Sequence, residues 1–146
     1  MENVDKVIVI LKDLLSNLQN CTSKYNLASA SEEYISIKES LLIYSRERSF
    51  YQLQLQHEIE NLVKRANLDP EESLTKKSSD NLEEVFSLQL FFPACIEAEE
   101  KLIQNYKLAL HEIKLDAALS LLLQNQLEGI EKSLIQIRYQ QSLNLQ

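Results

Sequence analysis

The chain has 146 residues, one glycine (Gly129), two prolines (Pro70 and Pro93) and a formal net charge of −7. So little glycine leaves almost no material for the positive-φ turns and phosphate loops that all-β and α/β folds need, whereas the abundant Leu, Glu, Gln, Lys and Ile suit helices; the composition predicts an all-α fold. The acidic balance, with no basic run longer than Lys76-Lys77, argues against nucleic acid as a partner.

A chain of this length forms one domain, expected over residues 1–146, and buries about 70% of the surface it exposes when unfolded. Its longest aliphatic runs, Val7 to Leu11 and Leu121 to Leu123, fall far short of the ~20 residues that cross a bilayer. With Asp5 and Lys6 interrupting the N-terminus and no small-residue cleavage site there, the expected location is cytoplasmic, with no membrane span.

The first helix is expected over about 3–28. Val4, Val7, Leu11, Leu14, Leu18, Cys21, Tyr25 and Ala28 alternate three-four spacings without a break, which places them on one face. Ile8 and Leu15 widen that stripe, and the pattern dissolves at Ser29-Ala30-Ser31. Ser36 and Glu39 form a capping-box spacing that opens a second helix over about 36–67. Its stripe is Ile37, Leu41, Tyr44, Tyr51, Leu55, Ile59 and Leu62, with Arg48 filling one step. Asp69-Pro70 ends it, because the residue before proline avoids helix. Leu68 to Ser79 is the longest linker, polar and serine-rich, expected to cross one end of the bundle and to be its most mobile stretch.

Asp80 and Glu83 repeat the capping spacing and begin a helical region over about 80–111 that Pro93 interrupts. Either the helix kinks there, or a short helix ends and Pro93 opens the next at its first turn, where proline is favoured; the second reading is adopted. The seam that follows is Ile96, Glu99, Ile103, Tyr106 and Leu110. A fourth helix is expected over about 116–141, capped by Asp116, with Leu119, Leu123, Leu127, Ile130, Leu134 and Ile137 inward. Short connections make the first and second helices, and the third and fourth, antiparallel neighbours. The expected architecture is an antiparallel four-helix bundle.

Glu99 is the carboxylate on an apolar seam, which costs free energy unless it is paired, protonated or bound to a cation. Two readings stand: Glu99 lies at the seam's edge and reaches water or a lysine, or it is an inward ligand of a core site. A di-iron bundle takes a glutamate from each of two helices and a Glu-x-x-His pair from each of the others. Here Gln54 and Leu108 precede His57 and His111 by three residues, and no acidic residue occurs from Leu14 to Ser31. Both histidines are expected on the surface, and Cys21 and Cys95 as buried free thiols rather than a disulfide or redox pair. Tyr25, Tyr51 and Tyr106 fit core packing. No glycine loop, nucleophile elbow, CxxC or zinc spacing is present. Neither a catalytic residue, a metal site nor a cofactor is assigned; Glu99, Gln54, Tyr25 and Tyr106 remain as candidates for a residual polar core, and Phe86, Phe91 and Phe92 for a ligand pocket or, as preferred, an apolar bundle end.

The order of elements carries a resemblance. Val4 to Val7 through Leu11 to Leu15, the run Leu55-Gln56-His57-Glu58-Ile59 with Asp69-Pro70-Glu71, Glu99-Glu100 with Tyr106, Ala109 and Leu110, and Gln126 to Ile130 ending at Ile137-Arg138 together resemble a bacterial ferritin-like family catalogued as domain of unknown function 2383. The resemblance implies a ferritin-like fold with a carboxylate in helix 1, glutamates in helices 2 and 3 and a histidine in helix 4. Those positions fall on Thr22 or Ser23, Gln54, Glu99 and Leu134, of which Glu99 alone matches. It therefore implies a bundle that kept the fold, lost its metal site and acts without catalysis, as a homo-oligomer or partner-binding module; the alternative is a metal-binding or redox protein with a residual site around Glu99.

Overall fold

The three-four stripe of the first helix is buried from its second member on: Val7, Leu11, Leu14, Leu18, Cys21, Tyr25 and Ala28 all belong to the core, and Val4 packs partly buried against it. The computed structural model describes residues 2–30, 32–66, 88–112 and 117–144. Four long helices account for nearly all of them: α1 (Glu2–Ser29), α2 (Lys38–Ala66), α3 (Leu88–Glu112) and α4 (Ala117–Asn144), with a 3₁₀ segment (Glu32–Ile37) between the first two. Among the described residues there is no strand, and no helix is long and apolar enough to cross a membrane.

Three boundaries differ from the sequence reading. Ser36 lies within the 3₁₀ segment and α2 opens at Lys38, so Ile37 is buried from the connection rather than from the helix. Glu39 in the first turn of α2 and Lys64 and Arg65 in its last complement the helix dipole. Pro93 sits inside α3, five residues past Leu88, so no helix begins there. The proline ring removes one donor from the ladder, and burial of Phe91, Phe92 and Cys95 on either side supplies the packing that holds the helix through it. α4 runs on to Asn144. The capping residues Asp80 and Glu83, the linker Leu68 to Ser79, Phe86 and Asp116 lie outside the described residues.

Interhelical hydrogen bonds fix the topology. Between α2 and α4, Tyr44 meets Gln140, Glu47 meets Ser133 and Gln54 meets Gln126, so residue numbers fall on one helix as they rise on the other. Ser45 with Asn26 and Gln52 with Thr22 do the same for α2 and α1, and Glu100 with Arg138 and Tyr106 with Gln126 for α3 and α4. The pairs α1/α2, α3/α4, α2/α4 and hence α1/α3 are antiparallel, while α2 and α3, across the diagonal, run parallel. α2 thus ends at the opposite end of the bundle from the one where α3 begins. The linker expected to cross one bundle end, Leu68 to Ser79, lies between these two ends and outside the described residues.

Gly129, the chain's one glycine, stands mid-helix in α4, where glycine disfavours helix. A Cβ there would lie 1.9 Å from the Tyr51 hydroxyl and 3.3 Å from a Glu47 carboxylate oxygen. The missing side chain is what lets Tyr51 and Glu47 of α2 reach across to α4.

Candidate functional site: an ion pair at the bundle centre

Arg48 and Glu99 are both fully buried, at 0% exposure. α2 delivers Arg48 in phase with Leu41, Tyr44 and Leu55 on its core face, and α3 delivers Glu99 in phase with Cys95, Leu102 and Tyr106. The two meet across the diagonal, Arg48 Nη2 donating to Glu99 Oε1 at 2.6 Å. The other carboxylate oxygen accepts the Tyr25 hydroxyl from α1, also at 2.6 Å. Arg48 Nη1 donates to Glu47, and Ser133 of α4 donates to the same Glu47 oxygen at 2.8 Å. All four helices contribute to one chain of charge-assisted hydrogen bonds, the strong kind.

Electrostatics lock the protons in place. Burial works against the charge on Arg48, but Glu99, with help from Tyr25 and Glu47, outweighs it and holds its pKa above the ordinary arginine value. Burial and then the Glu99 charge push the Tyr25 phenol well above its usual range, so Tyr25 stays a donor. The same two causes push the Cys21 thiol up to about 12; Cys95, raised by burial, Cys21 and Glu99, also stays protonated. Both are free and buried, the expected thiol state.

A second polar layer lies about 9 Å along α2, six residues on at 1.5 Å each. Tyr106 donates to Gln126 Oε1 at 2.5 Å, and Gln126 Nε2 donates to Gln54 Oε1 at 2.9 Å. The four candidate residues therefore divide: Tyr25 joins Glu99, while Gln54 and Tyr106 meet through Gln126 in the other layer. Of the two readings of Glu99, the seam-edge one is corrected. Glu99 is fully inside, at 0% exposure, and its partners are Arg48 and Tyr25 rather than a lysine.

The resemblance positions look different in place. Thr22 is buried and donates to the Leu18 carbonyl while accepting from Gln52; Leu134 is ordinary core. His57 and His111 are exposed, as expected, and Phe91 and Phe92 pack edge to face at 5.8 Å within the core. Among the described residues no group of three or more His, Cys, Asp or Glu side chains gathers where one ion could reach them.

Sequence reasoning saw Arg48 as a gap-filling step and missed it as a partner; a lone cation on one seam and a lone anion on another was the available signal. Gln126 was missed because Leu127 satisfied the same spacing. Chemically, a carboxylate with both oxygens engaged and a tyrosine held protonated offers no free base, and a divalent ion at Glu99 would have to displace a guanidinium already there. Hard cations need several anionic oxygens, and the second carboxylate here, Glu47, is engaged by the same arginine. No family model matches the chain, and no curated protein matches it.

Proposed function

We propose that this chain is a ferritin-like bundle in which an internal ion pair stands where a metal would, and that it is a non-catalytic cytoplasmic protein acting through its surfaces, as a homo-oligomer or a module that binds another protein. The carrying observation is the Arg48 guanidinium against Glu99 at the centre of the four helices: a monocation supplied by the chain neutralises the one carboxylate that the resemblance would give to a metal. The helix directions support the same reading, because a parallel second and third helix, here α2 and α3, is the arrangement of ferritin-like bundles.

Size-exclusion chromatography with light scattering, joined to pull-downs with the full-length chain as bait, tests it. The expected result is a mass of at least twice the 16.9 kDa of one chain, or a stoichiometric protein partner. A strict monomer that captures nothing contradicts it.

A further inference from the structure

The outer face of α2 carries an apolar centre that the bundle does not use. Phe50 is 57% exposed, Leu53 66% and Ile43 59%; within the chain Phe50 meets the Tyr51 ring at 6.4 Å. These residues belong to a stripe, exposed at every member, that runs from Glu39 to Lys64 with spacings of four, three, four, three, four, three and four residues. Such spacing is the seam of a coiled coil. It also reads the same from either end, so a second copy laid antiparallel brings every step into register.

We propose that this stripe is the contact between two copies of the chain, with α2 packed antiparallel on its counterpart about a twofold axis midway between Phe50 and Leu53. This inference rests on the oligomer form of the function proposed above and names its surface. An isologous interface must be complementary to itself, and this one is so at its centre and at its two ends. Reversing the stripe sets Phe50 against Leu53 of the other copy on both sides of the axis, giving an apolar centre. It sets Glu39 against Lys64 at both ends, giving opposite charges at the rim. Between them Arg46 comes opposite His57 and one step from Glu60, which itself comes opposite Ile43. Apolar centre and charged rim is the anatomy of a specific interface. The outer face of α4 exposes Leu121, Ile135, Tyr139 and Leu143, but between Leu121 and Ile135 it carries Asn125, Glu128 and Lys132, so its apolar residues gather toward one end and not at the middle of the stripe.

The test is sedimentation equilibrium or light scattering on the full chain over a concentration series, with wild type, Phe50→Glu, Leu53→Glu, Glu39→Lys, Lys64→Glu, the double Glu39→Lys with Lys64→Glu, and Ile135→Glu on α4 as comparator. Wild type is expected to be a dimer. Phe50→Glu and Leu53→Glu each weaken it more than roughly a hundredfold, as central apolar anchors do, counted twice by symmetry. Each charge reversal weakens it by roughly tenfold, the sum of two like-charge rim pairs, and the double reversal restores it. Helical circular dichroism of every variant confirms that the bundle is folded, since all these positions are exposed. A dimer that survives Phe50→Glu and Leu53→Glu but dissociates with Ile135→Glu overturns this surface while leaving the oligomer reading intact. A monomeric wild type removes both this surface and that reading. Failure of the double reversal to restore what the singles lose overturns the antiparallel register.

Discussion

Replacing Arg48 by methionine leaves the Glu99 carboxylate at 0% exposure with the Tyr25 hydroxyl as its remaining partner. Replacing Glu99 by leucine leaves a buried guanidinium with Glu47 alone. Each single change strands one charge, and breaking a buried pair in this way costs about 3–5 kcal/mol, a large part of the roughly 5–15 kcal/mol that holds a domain together. Unfolding midpoints should drop by roughly 6–20 °C, at 2–4 °C per kcal/mol for a chain of this size. The double variant, Arg48→Met with Glu99→Leu, strands no buried charge: Glu47 is part-exposed at 31% and can turn to water, and the Tyr25 hydroxyl, a neutral group, loses its acceptor, which costs about 1–3 kcal/mol. It should therefore cost far less than the two singles added together, with a coupling of about 3 kcal/mol or more in the double-mutant cycle. Urea titration followed by circular dichroism reads all four proteins. Singles that each cost less than about 1 kcal/mol, or costs that simply add, would refute the pairing.

Three further outcomes are expected. Gly129→Ala should destabilise, since a Cβ 1.9 Å from the Tyr51 hydroxyl forces a shift costing about 1–3 kcal/mol, set against a gain of ~1 kcal/mol in helix propensity; in a Tyr51→Phe background the cost should shrink without vanishing, because the ring carbon stays 3.1 Å from that Cβ, as urea titration of the four proteins would reveal. Alkali should unfold the protein: the Cys21 thiol rises from 9.0 to about 12 on burial, so its contribution is complete below pH 9 and is lost as pH climbs from 9 to 12, about 1.4 kcal/mol per pH unit, with Tyr44 and Tyr51, also raised to about 12 by burial, adding to the loss from pH 10. Thermal melts at pH 8, 10 and 11 check the direction, and a midpoint that rises across that range would contradict it. Finally, Cys21 and Cys95, buried and held protonated, should react with an aromatic disulfide reagent only at the rate of unfolding; immediate reaction of the native protein would count against their burial.

Much of the fold was legible because helical periodicity is a local property. The α1 stripe needs only a spacing of 3.6 residues to be read, and each expected member from Val7 to Ala28 is in the core. What resisted was nonlocal. The Ser36–Glu39 spacing is satisfied equally by a 3₁₀ turn, and a proline preference at first turns says nothing about packing that carries a helix past Pro93. The direction of α3 relative to α2 depends on which helices bond to which, as with Gln54 and Gln126, and no single segment encodes it. At the site, Glu99 advertised itself by standing charged on an apolar face; of the residues proposed with it, Tyr25 bonds to it, while Gln54 and Tyr106 meet through Gln126 in a separate layer. Its partner was harder to see, because Arg48 lies 51 positions away and joins Glu99 through a diagonal that spacing within one helix cannot show.

The central claim is that the core's cation is Arg48 and not a metal. Its most direct test is elemental analysis of full-length protein purified without chelators and exposed to iron(II) or manganese(II) under anaerobic conditions, for wild type and Glu99→Gln. The ion pair predicts less than about a tenth of an equivalent of bound metal in both, since a guanidinium already occupies the carboxylate and, among the described residues, no cluster of possible ligands competes for it. Close to one equivalent in wild type, lost in Glu99→Gln while helical content is unchanged, would contradict it and return Glu99 to the role of a metal ligand.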